Sequence, residues 1–390
     1  MQKKDGKVLY SASDIVNFLD CEHLTALDLI DLETPLPKAA DDEETVLYQK
    51  KGMEHESSYL EHLKQNTSCF ADISAENDEI ESAVNKTIEA MRSGVDFIYQ
   101  ATFFVEPFLG HADFLKKVPY PSGLGNFSYE VIDTKLARRT KAKFIIQLCF
   151  YSELLAELQG VDPIMMYVVM GDRRKEAFRY ADYSKYYGMV KERFLKRVNA
   201  KPDTKTYPEK CEHCYICRWR NICDEQWVKD DHLNQVANIS RIQIKKLQAN
   251  NITTMKSLAD LNKDVVIPKM AQETLEKIRH QAALQIKKRQ TGKNYFDLLP
   301  QDKERKRGFA RLPKPDKGDI FFDMESDPMD YEGLEYLFGV YYFEKEKPCF
   351  MPIWAHNREE EKLAFTKSMD FVSNRLRKYP GAHIYHYANY

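Results

Sequence analysis

Two groups of residues in this chain have the types and spacing that do chemistry. Asp113 lies in GHADFL, and Asp133 and Lys135 follow in YEVIDTKL. Side chains two apart on a strand share a face. Asp133 and Lys135 therefore project together, and Asp113 can meet them from the neighbouring strand. Two carboxylates on one face make a hard oxygen site for a divalent cation. A lysine beside it can orient or deprotonate a water and offset developing negative charge. The second group is CEHCYICRWRNIC, which crowds Cys211, Cys214, Cys217 and Cys223 with the spacing C-x2-C-x2-C-x5-C. Thiolates so spaced bind zinc or an iron–sulfur cluster, and the spacing alone does not choose between them. Cys69, Cys149 and Cys349 have no partner by spacing and read as core or surface thiols.

These residues need strands and helices to hold them. FIYQATFFVEPFLGHADFLKKV reads as two strands joined near Pro107–Gly110, and YEVIDTKL as a third. KAKFIIQLCFYSELLAELQG is an amphipathic helix with Gly160 as its C-cap, and PIMMYVVM is a short buried strand. Upstream, Ser13 is the expected N-cap of a helix running through DIVNFLDCEHLTALDL, and a second helix carries KGMEHESSYLEHLK. Beyond the cysteines, RIQIKKLQANNITTMKSLADL reads as two short helices around an Asn-Asn turn, with a longer helix after it. The basic run KERKRGFARLPKPDKG reads as a linker. From Asp319 the pattern returns to strands, DIFFDMES and YLFGVYYFEKEKPCFMPIWA, then a helix and the start of a strand in HIYHYANY. The expected domains are 1–230, 231–300 and 301–390.

Composition sets outer bounds. A chain of 390 residues suggests two or three domains. Lysine and arginine (58) nearly balance aspartate and glutamate (60), so any nucleic-acid footprint must be local rather than global. The N-terminus lacks the apolar run of a signal peptide, and no stretch approaches the ~18 apolar residues that span a bilayer. The reading is a soluble, cytoplasmic protein with no membrane partner. Thiols stay reduced there, which favours a metal or cluster over disulfides.

The ordered set resembles a known family. A strand with Asp113, then Asp133-x-Lys135, then a helix with Gln147 and Tyr151 in Q-x-x-x-Y, resembles the RecB-like branch of the PD-(D/E)xK nucleases, across roughly residues 10–225. GMEH places His55 where that family carries a metal-binding histidine. The resemblance implies an α/β fold with a restriction-endonuclease-like core. It also implies Mg²⁺ or Mn²⁺ held by His55, Asp113, Asp133 and the Thr134 carbonyl, and catalysis by Lys135 with support from Gln147 and Tyr151. The iron–sulfur branch, which includes the CRISPR-associated exonucleases and the AddB nuclease domain, takes one cysteine near the N-terminus and three after the core. Cys21, Cys214, Cys217 and Cys223 fit that pattern, which implies a [4Fe–4S] cluster and leaves Cys211 as a spare.

The later segments carry two further resemblances. LQANNITTMKSLADL resembles a helix-hairpin-helix unit, with Asn250 and Asn251 in place of the usual glycines. FFDMESDP resembles the first motif of RNase H-like DEDD exonucleases of the YprB type, with Asp323 and Glu325 as metal-holding acids in a truncated domain. The arrangement is similar to RecB-like nucleases that a superfamily 1 helicase often follows, and it suggests a fragment of a longer protein; no G-x-x-x-x-G-K-[ST] occurs here. The function implied is cleavage of DNA, single-stranded or with free ends, in repair or defence. Two other readings use the same residues: a non-catalytic nucleic-acid-binding module with a zinc-stapled fold, and an RNA nuclease.

Overall fold

The computed structural model describes residues 1–4, 6–67, 69–74, 80–200, 206–298, 308–327, 329–330 and 333–387. Part of the basic run (303–307) and the last residues of HIYHYANY (388–390) lie outside the described residues. The chain forms two compact units, Met1–Phe296 and Asp297–Tyr390. Both mix helices and sheet, so the fold class is α/β.

The first unit opens with a small hairpin, β1 (Gln2–Lys4) and β2 (Lys7–Leu9), then α1 (Ala12–Asp20), α2 (Glu22–Glu33) and α3 (Glu43–Asn66). The cap of α1 is Ser11, not the expected Ser13. Asp14 returns its carboxylate to the Ser11 backbone N–H at 2.7 Å and completes a capping box. The expected single helix through Cys21 is two helices, because Cys21 takes an extended backbone (φ −158°, ψ 111°) between α1 and α2.

A six-stranded mixed sheet follows: β3 (Phe70–Asp72), β4 (Phe97–Val105), β5 (Phe108–Val118), β6 (Ser128–Lys135), β7 (Met165–Met170) and β8 (Lys175–Arg179), in that spatial order. Helices α4 (Ile80–Ser93), α5 (Ala142–Gln159) and α6 (Tyr180–Val198) complete this part. β4, β5 and β6 form an antiparallel meander, and β6 pairs in parallel with β7 across the α5 crossover. α5 ends at Gly160 in the left-handed conformation (φ 74°). One side of the sheet is buried under α5 and its neighbours, through Leu115, Val131, Phe150 and Val168. The other packs on α3 through Leu60, Leu63, Phe114, Ile132 and Val169. β3, α4 and β8 had not been expected.

After the cysteine segment, α7 (Arg220–Lys229) leads to α8 (Arg241–Gln248), α9 (Met255–Ala259) and α10 (Gln272–Thr291). These last three share their own core, including Leu247, Ile252, Met255, Leu258 and Leu275. At the α8–α9 turn Asn251 adopts φ 62°, the left-handed conformation that a glycine would otherwise supply.

The second unit holds a four-stranded sheet, β9 (Ile320–Asp327), β10 (Leu334–Glu344), β11 (Lys347–Trp354) and β12 (Ile384–Tyr385), ordered β11-β10-β9-β12, with α11 (Arg358–Lys378). β12 runs parallel to β9 and the other pairs are antiparallel. Arg375 of α11 is buried and donates to the carbonyls of Gly318, Lys317 and Phe343, tying the helix to the sheet ends.

Candidate metal and nucleic-acid site

Antiparallel pairing brings the acids together. The β5–β6 register runs from Val118↔Ser128 to Phe114↔Ile132, so Asp113 falls opposite Asp133. Asp113 Oδ2 accepts from the Thr134 backbone N–H and hydroxyl, both at 2.8 Å, which fixes that carboxylate at the end of β5. Asp133 is fully buried. Lys135 Nζ lies 2.5 Å from its Oδ2. Beyond that ion pair, neither Asp133 oxygen accepts a hydrogen bond among the described residues. Burial of a carboxylate without donors is costly. Burial, with the charge of Asp113 beside it, pushes the Asp133 carboxyl up to about 7, although Lys135 pulls the other way. Burial also pulls on Lys135, but Asp133 and Asp113 outweigh it and hold the ammonium above its ordinary value.

The α5 residues close one side. Gln147 Nε2 donates to the Tyr151 hydroxyl at 3.2 Å. Burial raises the Tyr151 hydroxyl, and the charges of Asp133 and Asp113 raise it further. Gly110 permits the approach of α5: a Cβ there would stand 2.9 Å from Leu154 and 3.2 Å from the Tyr151 ring. Lys135 also lies over the Phe144 ring, 5.8 Å from its centroid.

α3 closes the other side. His55 Nε2 is 3.3 Å from the Val169 carbonyl oxygen. The residue beside it, Glu56, was not singled out from the sequence, yet it reaches the same centre. Its Oε1 accepts from the Tyr99 hydroxyl at 2.8 Å and Gln100 Nε2 at 2.6 Å. Burial raises the Glu56 carboxyl, and Asp113 adds to that. A signal for Glu56 was present: it continues the sheet-facing stripe of Tyr59, Leu60 and Leu63 by one helical turn, a lone carboxylate on a buried face.

Among the described residues no group of three or more His, Cys, Asp or Glu side chains is drawn together as a finished metal cage. Asp133 still fits a cation, because its buried Oδ1 lacks a donor, Oδ2 has only the Lys135 ammonium, and Asp113 stands opposite.

The cysteines meet at one place. A cavity of about 200 Å³ is lined by Cys21, Cys211, Cys214, Cys217 and Cys223. Cys211 Sγ is 3.8 Å from Cys214 Sγ. A hydrogen bond from Cys21 is the main cause lowering the Cys211 thiol, and the same contact raises Cys21. Cys211 therefore stands among the other four. Burial raises the Cys217 thiol and pushes Cys223 up to about 12. The extended break at Cys21 delivers it here from the α1–α2 junction. Trp219, fully buried, donates from Nε1 to Asp28 Oδ1 at 2.8 Å and holds this segment against α2. Trp227 Nε1 donates to the Pro208 carbonyl at 2.9 Å. Such a soft, clustered thiol set fits a thiolate-bound metal or cluster. Cys69 is exposed, Cys149 is buried in the sheet core, and Cys349 is half-buried in the second unit.

In the second unit, Asp323 and Glu325 alternate on β9, and both are exposed on the sheet face away from α11. Phe321, Tyr341, Phe350 and Tyr385 line a groove with them. No helix of the described residues is long and apolar enough to cross a membrane.

Comparison with known proteins adds one assignment. No curated protein matches the chain. A solved structure described as "Crystal structure of SSO0001" is 12% identical and covers 47% of this chain and 98% of its own, with a TM-score of 0.21. The sequence model of the RNase H superfamily matches residues 320–390, so the segment from β9 onward is RNase H-like.

Proposed function

We propose that the chain is a divalent-metal-dependent nuclease that hydrolyses phosphodiester bonds in DNA, single-stranded or with free ends, in repair or defence. The observation that carries this reading is Asp133: fully buried, with no donor but the Lys135 ammonium at Oδ2, and facing Asp113. Asp113 and Asp133 would hold Mg²⁺ or Mn²⁺, with the Thr134 carbonyl and His55 as further candidate ligands. A bound cation supplies charge stabilisation for the phosphoryl group and acidity for water. Thr134 orients Asp113 through two hydrogen bonds. Lys135 positions the attacking water and offsets negative charge as it develops. Tyr151, braced by Gln147, would support the site and the DNA strand.

The cysteine cavity is a staple in this reading. It joins the α1–α2 junction to the segment after α6. Cys21, Cys214, Cys217 and Cys223 would hold a [4Fe–4S] cluster, and zinc on the same thiols is the alternative. Brown protein containing iron supports the cluster, and colourless protein with zinc refutes it. In the second unit, Asp323 and Glu325 form a second candidate metal pair.

The test is cleavage of DNA and RNA strands of one sequence, with Mn²⁺, by the native chain and Asp113→Ala. Metal-dependent cutting of DNA alone, lost in the variant, is the expected result. Cutting of RNA in preference makes it an RNA nuclease. Undiminished cutting by Asp113→Ala overturns the assignment of the site, and binding without cutting by either protein makes it a nucleic-acid-binding module.

A further inference from the structure

We infer that Glu56, beside His55 on α3, is a further residue that serves the cation site: it anchors the water shell of the ion held by Asp113 and Asp133, and Gln100 and Tyr99 hold it in position. This inference rests on the nuclease reading above and adds a positioning residue to it.

The argument starts from a break in β4. Gln100 lies between the pairs Tyr99↔Phe114 and Ala101↔Ala112, directly across from Asp113. Its φ is 54°, a left-handed backbone in the middle of a strand. Such a conformation costs a residue other than glycine of order 1 kcal/mol or more and persists only where its surroundings hold it. Consecutive side chains on a regular strand point to opposite faces. At this break two consecutive side chains, Tyr99 and Gln100, converge on one oxygen of Glu56. Both act as donors to it, so the pair selects an acceptor and orients the carboxylate.

His55 makes a different contact: its Nε2 lies against the carbonyl of Val169 on β7, which pairs with Thr134. A role one water away suits Glu56, because Mg²⁺ keeps several waters and takes only one or two protein carboxylates directly. Outer-shell partners of this kind change metal affinity by about 10–100-fold when removed.

The experiment is Mn²⁺ titration of the full chain, read from the paramagnetic resonance signal of free Mn²⁺, for native protein, Glu56→Gln, Gln100→Gly and Asp133→Asn. Glutamine keeps the size of Glu56 and its acceptor for Tyr99, so folding should hold, and the melting point without metal checks it. Glu56→Gln is expected to weaken Mn²⁺ at least about tenfold with no fall in that melting point. Gln100→Gly, which removes one anchor and leaves Glu56, is expected to weaken it in the same direction. Native affinity in Glu56→Gln, with Asp133→Asn unable to bind, overturns this inference and leaves the metal site standing. Absence of Mn²⁺ binding by the native chain overturns both.

Discussion

Asp133 makes a demand on the pH dependence of stability. Without a cation, its carboxyl titrates at about 7 in the folded protein and near 3.8 in the unfolded chain. The folded state therefore binds the extra proton. The stability associated with it is complete at low pH and is lost as pH rises through 7. For one group so raised the loss between pH 6 and pH 8 is on the order of 1 kcal/mol. Glu56, also raised, adds in the same direction. His23, His111 and His232 oppose it, since burial lowers each of them and they favour folding as pH rises through their range. The comparison with Asp133→Asn removes these shared contributions. The assay is native-state amide exchange of β5 and β6, at pH 6 and 8, corrected for intrinsic exchange, with no divalent cation added. The stability of native protein relative to Asp133→Asn should fall by on the order of 1 kcal/mol over that range. With saturating Mn²⁺ the trend should reverse, because a cation binds the ionised carboxylate and its affinity grows with pH. A difference that does not change with pH, or the same trend with and without Mn²⁺, refutes the reasoning.

Three other outcomes follow from particular contacts. Gly171→Ala places a Cβ 2.1 Å from the Leu136 carbonyl oxygen, next to Lys135. It should destabilise the first unit by about 1–3 kcal/mol in chemical denaturation and cut cleavage by displacing the end of β6. Trp219→Phe strips the Nε1 donor from Asp28, whose carboxyl burial already raises. It should cost about 1–3 kcal/mol in denaturant melts and speed loss of the thiol-bound metal to a chelator. Metal analysis of the purified chain should find iron or zinc lost in Cys217→Ser and Cys223→Ser and retained in Cys69→Ser and Cys349→Ser, because only the first two line the thiol cavity.

The meander and its acids were legible in the sequence for a physical reason. β4, β5 and β6 carry long apolar runs between clear turn residues, and strand periodicity then puts Asp133 and Lys135 on one face. The approach of Cys21 to Cys214, Cys217 and Cys223 was legible only through resemblance, which left Cys211 aside, because nothing local marks the extended break between α1 and α2. β8, KEAFR, has too few apolar residues to announce a strand; its pairing with β7 creates it. Ser11 and Ser13 are both good caps, and the choice between them came from the Asp14 carboxylate folding back. Glu56 and His55 are neighbours on one helix, and which of them faces the acids depends on the rotation of α3 over the sheet. The left-handed backbone at Gln100 has no sequence signal at all, since strand formers surround it.

The most direct test of the central claim is cleavage of end-labelled single-stranded DNA with Mn²⁺ or Mg²⁺ by anaerobically prepared native protein and Lys135→Ala. The account expects metal-dependent cutting by the native chain that disappears in the variant, with the product ladder giving the polarity. Cutting that survives in Lys135→Ala contradicts it and moves the chemistry away from Asp113 and Asp133, with Asp323 and Glu325 as the next acids to test.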